Sequence, residues 1–176
     1  SSITVATVRP ETIFGDTAIA VNPSDERYQS MKDTTFTIPL TDRSVPLIFD
    51  EYSDPEMGSG AVKITPAHDF NDFEVGKRHN LELLNILNDD GSLNENCPAE
   101  YQGMDRFDAR KQVVKALKEN GFIEKIEDYK TTIPYGDRSN TIVEPYLTHQ
   151  WFCNAEELAK QAMKVVNDGE TKFFPQ

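Results

Sequence analysis

Two stretches far apart in the chain constrain its fold most: Thr7-Val8-Arg9-Pro10-Glu11-Thr12-Ile13-Phe14-Gly15-Asp16 and Gly58-Ser59-Gly60-Ala61-Val62-Lys63-Ile64-Thr65-Pro66-Ala67-His68-Asp69-Phe70-Asn71-Asp72-Phe73. Each begins β-rich, reaches a proline (Pro10 or Pro66), and then turns through a run of charged and hydrogen-bonding side chains. Proline restricts the residue before it to extended backbone, so both read as a strand delivered to a polar turn. Turns at strand ends are where a scaffold exposes its chemistry, and the two together are expected to build one pocket.

The rest of the chain fills in around them. Residues 3–8 read as the strand that delivers Arg9, residues 16–21 as a second strand closed by Asn22-Pro23, and residues 25–31 as a short helix. Strands are expected at 35–40 and 45–49, joined by Thr41-Asp42-Arg43-Ser44. Along 60–64 the two-residue period places Ala61, Lys63 and Thr65 on one face and Val62 and Ile64 on the other, so Lys63 is expected to point away from the apolar side. Residues 71–79 suit a helix whose start is flanked by Asp69 and Asp72, and 83–87 suit a strand ending in Asn88-Asp89-Asp90-Gly91. The clearest helix is 105–120, with Phe107, Val113, Val114, Ala116 and Leu117 in one stripe and Gly121 at its C-cap. Strands at 123–132 and 141–144 would flank the turn at 136–140, and a last helix at 154–166 would end at Gly169.

Strands and helices do not alternate regularly, so a doubly wound parallel sheet is disfavoured. The expected class is α+β, mainly β: a mixed β-barrel core with peripheral helices. The character changes near Trp151, which divides the chain into a main domain, 1–148, and a C-terminal helical segment, 149–176, leading into the rest of a larger protein. Phe173-Phe174-Pro175-Gln176 reads as cut rather than finished.

With 176 residues the chain can bury a core without disulfides. Cys97 and Cys153 are too few and too far apart for a disulfide scaffold or a zinc spacing, which suits a reducing compartment and makes the cytoplasm the expectation. No apolar run approaches the ~20 residues of a membrane span, and Ser1-Ser2 opens no signal peptide. Thirty acidic against 18 basic residues give a net charge of -12, which argues against a protein that grips phosphates over its whole surface. If the chain acts on a nucleic acid, another part of a larger protein is expected to do most of the holding.

Each candidate for chemistry has a bland reading. Asp69 and Asp72, three apart at a helix start, could simply cap free amides and favour the positive end of the dipole. Lys63 could be a solvated strand lysine, and Arg9-Pro10-Glu11-Thr12 a salt-bridged surface turn. The alternative rests on company: Lys63, His68 and two carboxylates within about ten residues of a strand-to-helix turn make a compact polar site, in which a carboxylate could hold an ammonium and Lys63 could fix Asp69. His68, Asp69, Asp72 and His79 match no helical metal-ligand spacing, so no metal is expected. Gly58-Ser59-Gly60 lacks the sequel of a phosphate loop, and no cofactor is expected. Gly15 and Asp16 read as turn geometry, and Trp151 and Phe152 as a core edge or a domain seam.

Both signatures resemble those of the editing domain of valyl-tRNA synthetase, a class I aminoacyl-tRNA synthetase. The resemblance continues through Thr17-Ala18-Ile19-Ala20-Val21-Asn22-Pro23, residues 73–81, Arg138-Ser139, Val143-Glu144-Pro145 and Gln150-Trp151-Phe152. Lys63 with Ile64-Thr65-Pro66-Ala67-His68-Asp69 is similar to the valyl form rather than to the isoleucyl or leucyl forms. The resemblance implies hydrolysis of threonine wrongly esterified to tRNA(Val), with no aminoacylation by this segment. It implies that Asp72 holds the substrate's α-ammonium group, that Asp69 and Lys63 recognise the threonine hydroxyl, and that Arg9, Glu11 and Thr12, with Thr7 beside them, contact the aminoacyl group and terminal adenosine. Asp72, Thr12 and Arg9 are thus the expected catalytic residues, and Lys63, Asp69, Asp72, Glu11 and Thr7 the substrate-binding ones. Met57 and Ser59 depart from the family, which often has an aromatic residue and a threonine there. The partners implied are the tRNA(Val) 3' end and the remainder of the synthetase, in a monomer. The open alternatives are a non-catalytic module for the aminoacylated tRNA end and a metal-dependent hydrolase.

Overall fold

The computed structural model describes residues 2–174. Its centre is a four-stranded mixed sheet of β1 (Ala18–Val21), β2 (Thr35–Thr37), β3 (Ser44–Phe49) and β4 (Ala61–Ile64), in the order β2-β3-β1-β4. β1 runs parallel to β3 and antiparallel to β4, with Ile19 opposite both Leu47 and Lys63. A parallel pair cannot be joined by a tight turn, and the connection here carries a 3-10 helix, Glu26–Met31, and the edge strand β2.

Opposed residues share a face, and the register gives the sheet two apolar sides. Ala18, Ala20 and Ile64, with Val62 and Ile48, pack against Val75 of α1 (Phe70–His79). Val21, Leu47 and Ala61 pack with Phe36 on the other side. A separate cluster, Phe14, Ile86, Leu87, Leu93, Cys97 and Tyr101, receives Ala109, Val113 and Leu117 of α2 (Arg106–Glu119). The buried stripe of α2 is therefore shifted from the expected one: Phe107, Val114 and Ala116 are only half-buried, because Ala109, Val113 and Leu117 recur every four residues and face the core. Gly121 adopts φ 73° just past α2, and the Phe122 amide returns to the Leu117 carbonyl at 2.9 Å, closing the helix as a Schellman turn.

The expected barrel does not form: the sheet is open and the class is α+β. Residues 3–8 are not a strand, although Ile3 and Val5 cover the Val21 cluster. Residues 83–87 are irregular because side chains take the bonds a ladder would make. Asn94 and Asn96 both donate to the Asn85 carbonyl, at 3.0 and 2.8 Å, and the Ile86 amide donates to His68 at 2.9 Å. Residues 123–132 form no strand, and 141–144 keep only the isolated bridge of Ile142 to Tyr135. From Phe122 to Phe174 almost every side chain is exposed, including all but Val165 of α3 (Glu156–Asn167). No helix among the described residues is long and apolar enough to cross a membrane.

Candidate active site

The site is assembled around Thr65, where β4 gives way to the turn that starts α1. Asp69 is the N-cap of α1, and its Oδ1 accepts the amides of Asn71 and Asp72 at 2.8 and 3.1 Å. That is the bland reading realised. Asp72 behaves differently. It is 6 % exposed and turned back toward the sheet, where its Oδ2 accepts the Thr65 amide at 2.8 Å. The Tyr52 phenol lies beside the same carboxylate.

The close approach of α1 makes this possible. A Cβ at Gly76 would lie 2.9 Å from both Cβ and Cγ of Pro66, so only glycine lets the helix rest on the turn. Burial first of all, then the neighbouring charges of Asp69 and Asp16, push the Asp72 carboxyl up to about 6, against the Thr65 amide and Lys63. The Tyr52 phenol is held up to about 12 by burial and then by the charges of Asp72 and Asp69.

Lys63 is not a solvated strand lysine. It is 9 % exposed, because both faces of the sheet are packed and the expected open side does not exist. Its ammonium donates to Asp16 Oδ1 at 2.7 Å and to Thr65 Oγ1, and the Thr65 hydroxyl donates to Asp16 Oδ1 at 2.6 Å. The partner of Lys63 is therefore Asp16 rather than Asp69. Burial pushes the Asp16 carboxyl upward, opposed by Lys63, Thr65 and Arg43.

The first signature reaches the same turn through Arg9. Its Nη1 donates to the His68 carbonyl at 2.7 Å, and its Nη2 bonds Glu144. The Arg9 carbonyl accepts the Thr12 amide at 3.0 Å and the Thr12 hydroxyl at 2.8 Å, and the Thr7 hydroxyl accepts the Arg9 amide at 3.0 Å. Lys63, Asp69, Asp72, Arg9 and Thr12 are thereby brought together, with Thr7 exposed at the edge. Glu11 lies beside Arg9, its Oε1 3.9 Å from Arg9 Nε, but it is 1 % exposed and both its oxygens are held by Arg110 of α2, at 2.6 and 2.7 Å.

His68 is fully buried and accepts the Ile86 amide at Nε2. Burial, then the cations of Arg9 and Lys63, hold its imidazole down to about 4, so it is neutral at pH 7 with its proton on Nδ1. It has no free lone pair with which to take a proton. No group of three or more His, Cys, Asp and Glu side chains is placed to hold a metal ion among the described residues. Two open clefts of about 540 and 530 Å³ lie elsewhere, one lined by Asn85, Asp89 and Tyr146 and the other by Phe14, Arg43 and Cys97.

The residues that sequence reasoning missed are those that hold others: Asp16, Thr65, Arg106, Arg110 and Glu144. For Thr65 a signal existed, since it shares the two-residue face of Lys63. For Arg110 none did, because 99 positions separate it from Glu11.

Residues 26–130 match the family model described as leucyl-tRNA synthetase, editing domain. The chain is 56 % identical over 173 residues to a valine-tRNA ligase of Pelagibacter ubique, covering 98 % of this chain and 20 % of that protein. It is 54 % identical to that of Francisella tularensis over 98 % of this chain and 19 % of the relative, and 53 % identical to that of Coxiella burnetii over 97 % and 19 %. The chain thus spans about a fifth of the length of these relatives.

Proposed function

We propose a function from one premise: the chain belongs to the editing-domain family of the aminoacyl-tRNA synthetases, in its valyl form. The function is post-transfer proofreading, the hydrolysis of threonine misattached to tRNA(Val). The observation that carries it is the bonded sequence Asp16, Lys63, Thr65, Asp72, which sets a cation and an inward-facing carboxylate on either side of one residue.

In this reading Asp72, ionised at neutral pH, anchors the substrate's α-ammonium group with the carboxylate that the Thr65 amide orients and the Tyr52 phenol flanks. Lys63 has three N–H donors and spends two on Asp16 and Thr65, which leaves one for the threonine hydroxyl. Asp69 uses only Oδ1 in its cap, and Oδ2 is assigned to the same hydroxyl. Arg9, Thr12 and Thr7 are assigned to the ester and terminal adenosine, while Glu11 anchors their turn to α2. Valine would leave the buried Lys63 donor unpaired, at a cost of roughly 1–3 kcal/mol, whereas the exposed Asp69 oxygen would stay hydrated. Such a second site is needed, because the hydrophobic synthetic site of valyl enzymes is already known to reject threonine by only about 10²-fold.

Hydrolysis then consists of water adding to the ester carbonyl and the bond to the ribose oxygen breaking, with that oxygen taking a proton and threonine leaving. The contribution of the protein is to hold the ester in line and to place N–H donors near the developing oxyanion. The neutral, proton-blocked His68 is not assigned as a base. The partners proposed are the tRNA(Val) 3' end and the remainder of a synthetase.

The test is deacylation of threonyl-tRNA(Val) and valyl-tRNA(Val) by the wild type and Asp72→Ala. The threonyl ester is expected to be hydrolysed preferentially by the wild type and not by the variant; equal turnover by a folded Asp72→Ala protein would refute the anchoring role. The absence of a free imidazole base at the site, among the described residues, favours one rival, a non-catalytic module for the charged tRNA end. Binding of threonyl-tRNA(Val) with the ester left intact would establish that rival.

A further inference from the structure

Asp16 has no role in the reading above beyond its contacts, yet it is the acceptor on which the Lys63 cluster converges. A single oxygen, Oδ1, takes the Lys63 ammonium at 2.7 Å and the Thr65 hydroxyl at 2.6 Å. Lys63 also donates to Thr65, so the three groups close a triangle, and all three residues are buried. A lysine ammonium on a four-carbon stem is otherwise a mobile point charge with freely rotating donors. Two of its three donors are fixed here by groups on different elements, Asp16 ahead of β1 and Thr65 at the end of β4, and the direction of the third is fixed as a consequence.

The position of Asp16 is itself tightly set. Arg43 donates to the Asp16 and Phe14 carbonyls at 2.8 and 2.6 Å, and the Thr17 amide bonds the Ile64 carbonyl at 2.9 Å. A Cβ at Gly15 would lie 3.1 Å from Thr65 Cγ2 and 3.2 Å from the Leu84 carbonyl, so the chain before Asp16 presses directly on Thr65.

We propose that Asp16 is a positioning residue that aims the remaining N–H of Lys63, and so sets the preference for a hydroxyl-bearing amino acid over its hydrocarbon counterpart. This rests on the proofreading reading and deepens it. A purely structural Asp16 would support hydrolysis of both esters equally. An aiming Asp16 affects the threonyl ester selectively, and only while Lys63 is present.

The experiment compares wild type, Asp16→Asn, Lys63→Met and the double variant in the protein that carries this chain, with kcat and KM measured on threonyl- and valyl-tRNA(Val). Asp16→Asn is expected to lower the threonyl-to-valyl ratio of kcat/KM roughly tenfold, the size of one lost charge-assisted hydrogen bond. In the Lys63→Met background the same change is expected to alter the ratio less than about twofold. An unchanged ratio in Asp16→Asn, or a further full loss in the double variant, would overturn the proposal. Should Asp16→Asn alone fail to fold, the double variant, which removes both charges, still decides the matter against Lys63→Met. A second readout needs no tRNA: the Lys63 ammonium is expected to give a slowly exchanging 15N–1H signal in the wild type that disappears in Asp16→Asn. Persistence of that signal would refute the aiming role, whereas a wild type that leaves the threonyl ester intact would defeat the proofreading reading alone.

Discussion

At the scale of single residues, Asp72 shows how burial changes what a side chain can do. Its carboxyl stands at about 6 in the fold against an ordinary 3.8. The folded state therefore binds a proton that the unfolded chain has released, and stability falls as pH rises from near 4 through 6. The difference is about 3 kcal/mol at ~1.4 per unit. Asp72→Asn removes that dependence, so thermal unfolding is expected to show the variant near wild type at pH 4 and more stable by roughly 1–3 kcal/mol above pH 7. A parallel pH profile for the two proteins would contradict this origin of the shift. Function runs the other way, since an ammonium needs the ionised carboxylate. Deacylation, corrected for spontaneous ester hydrolysis, is expected to rise in kcat/KM between pH 5 and 7 with an apparent pKa near 6, and Asp72→Asn to abolish it. A site that is less stable when charged and active only when charged is a local case of stability given up for chemistry.

At the scale of elements, the site depends on two close fits. α1 reaches Thr65 only because Gly76 lies against Pro66. In Gly76→Ala the added methyl costs roughly 1–3 kcal/mol of overpacking against at most ~1 gained in helix propensity, so a lower urea midpoint is expected. Deacylation should fall with it as Asp72 is displaced from Thr65. The second fit joins α2 to the turn at Arg9 through Glu11 and Arg110, while Arg106 of α2 bonds Glu144 at 2.9 Å and Glu144 also meets Arg9. Arg110→Ala leaves the buried Glu11 carboxylate with only the more distant Arg9, at 3.9 Å, and should cost about 2 kcal/mol, the full penalty being discounted because Arg110 is partly exposed and Arg9 remains. Glu11→Gln in that background is expected to recover part of the loss in the same urea titration; no recovery would mean that Arg110 acts by packing alone.

At the scale of the whole molecule, the described fold divides into a packed part and an outlying one. No side chain from Phe122 to Phe174 is buried, and within 149–174 only Val165 is even half-buried. Removing residues 149–176 is expected to change the unfolding free energy of the remainder by less than about 0.5 kcal/mol. A drop of several kcal/mol would show that this segment is part of the core. The net charge of -12 belongs to this scale too, and it leaves the cations of the site, Arg9 and Lys63, as local exceptions already paired with Glu144 and Asp16.

What the sequence determined by itself was local and periodic. The alternation through Lys63, the cap at Asp69, the helices at residues 70–79 and 106–119 and the proline-bounded turns follow from spacing within a few residues, where side-chain direction is set by the backbone alone. The proximity of the two signatures was legible through the family's pattern. Only the tertiary structure decided that the sheet stays open, because whether 83–87 joins a ladder depended on Asn94, Asn96 and His68 competing for its backbone groups. It also decided that Lys63 is buried with Asp16 while Asp69 serves the helix. Partners 47 positions apart meet only when two strands pair, and their energies depend on a burial that no local pattern encodes.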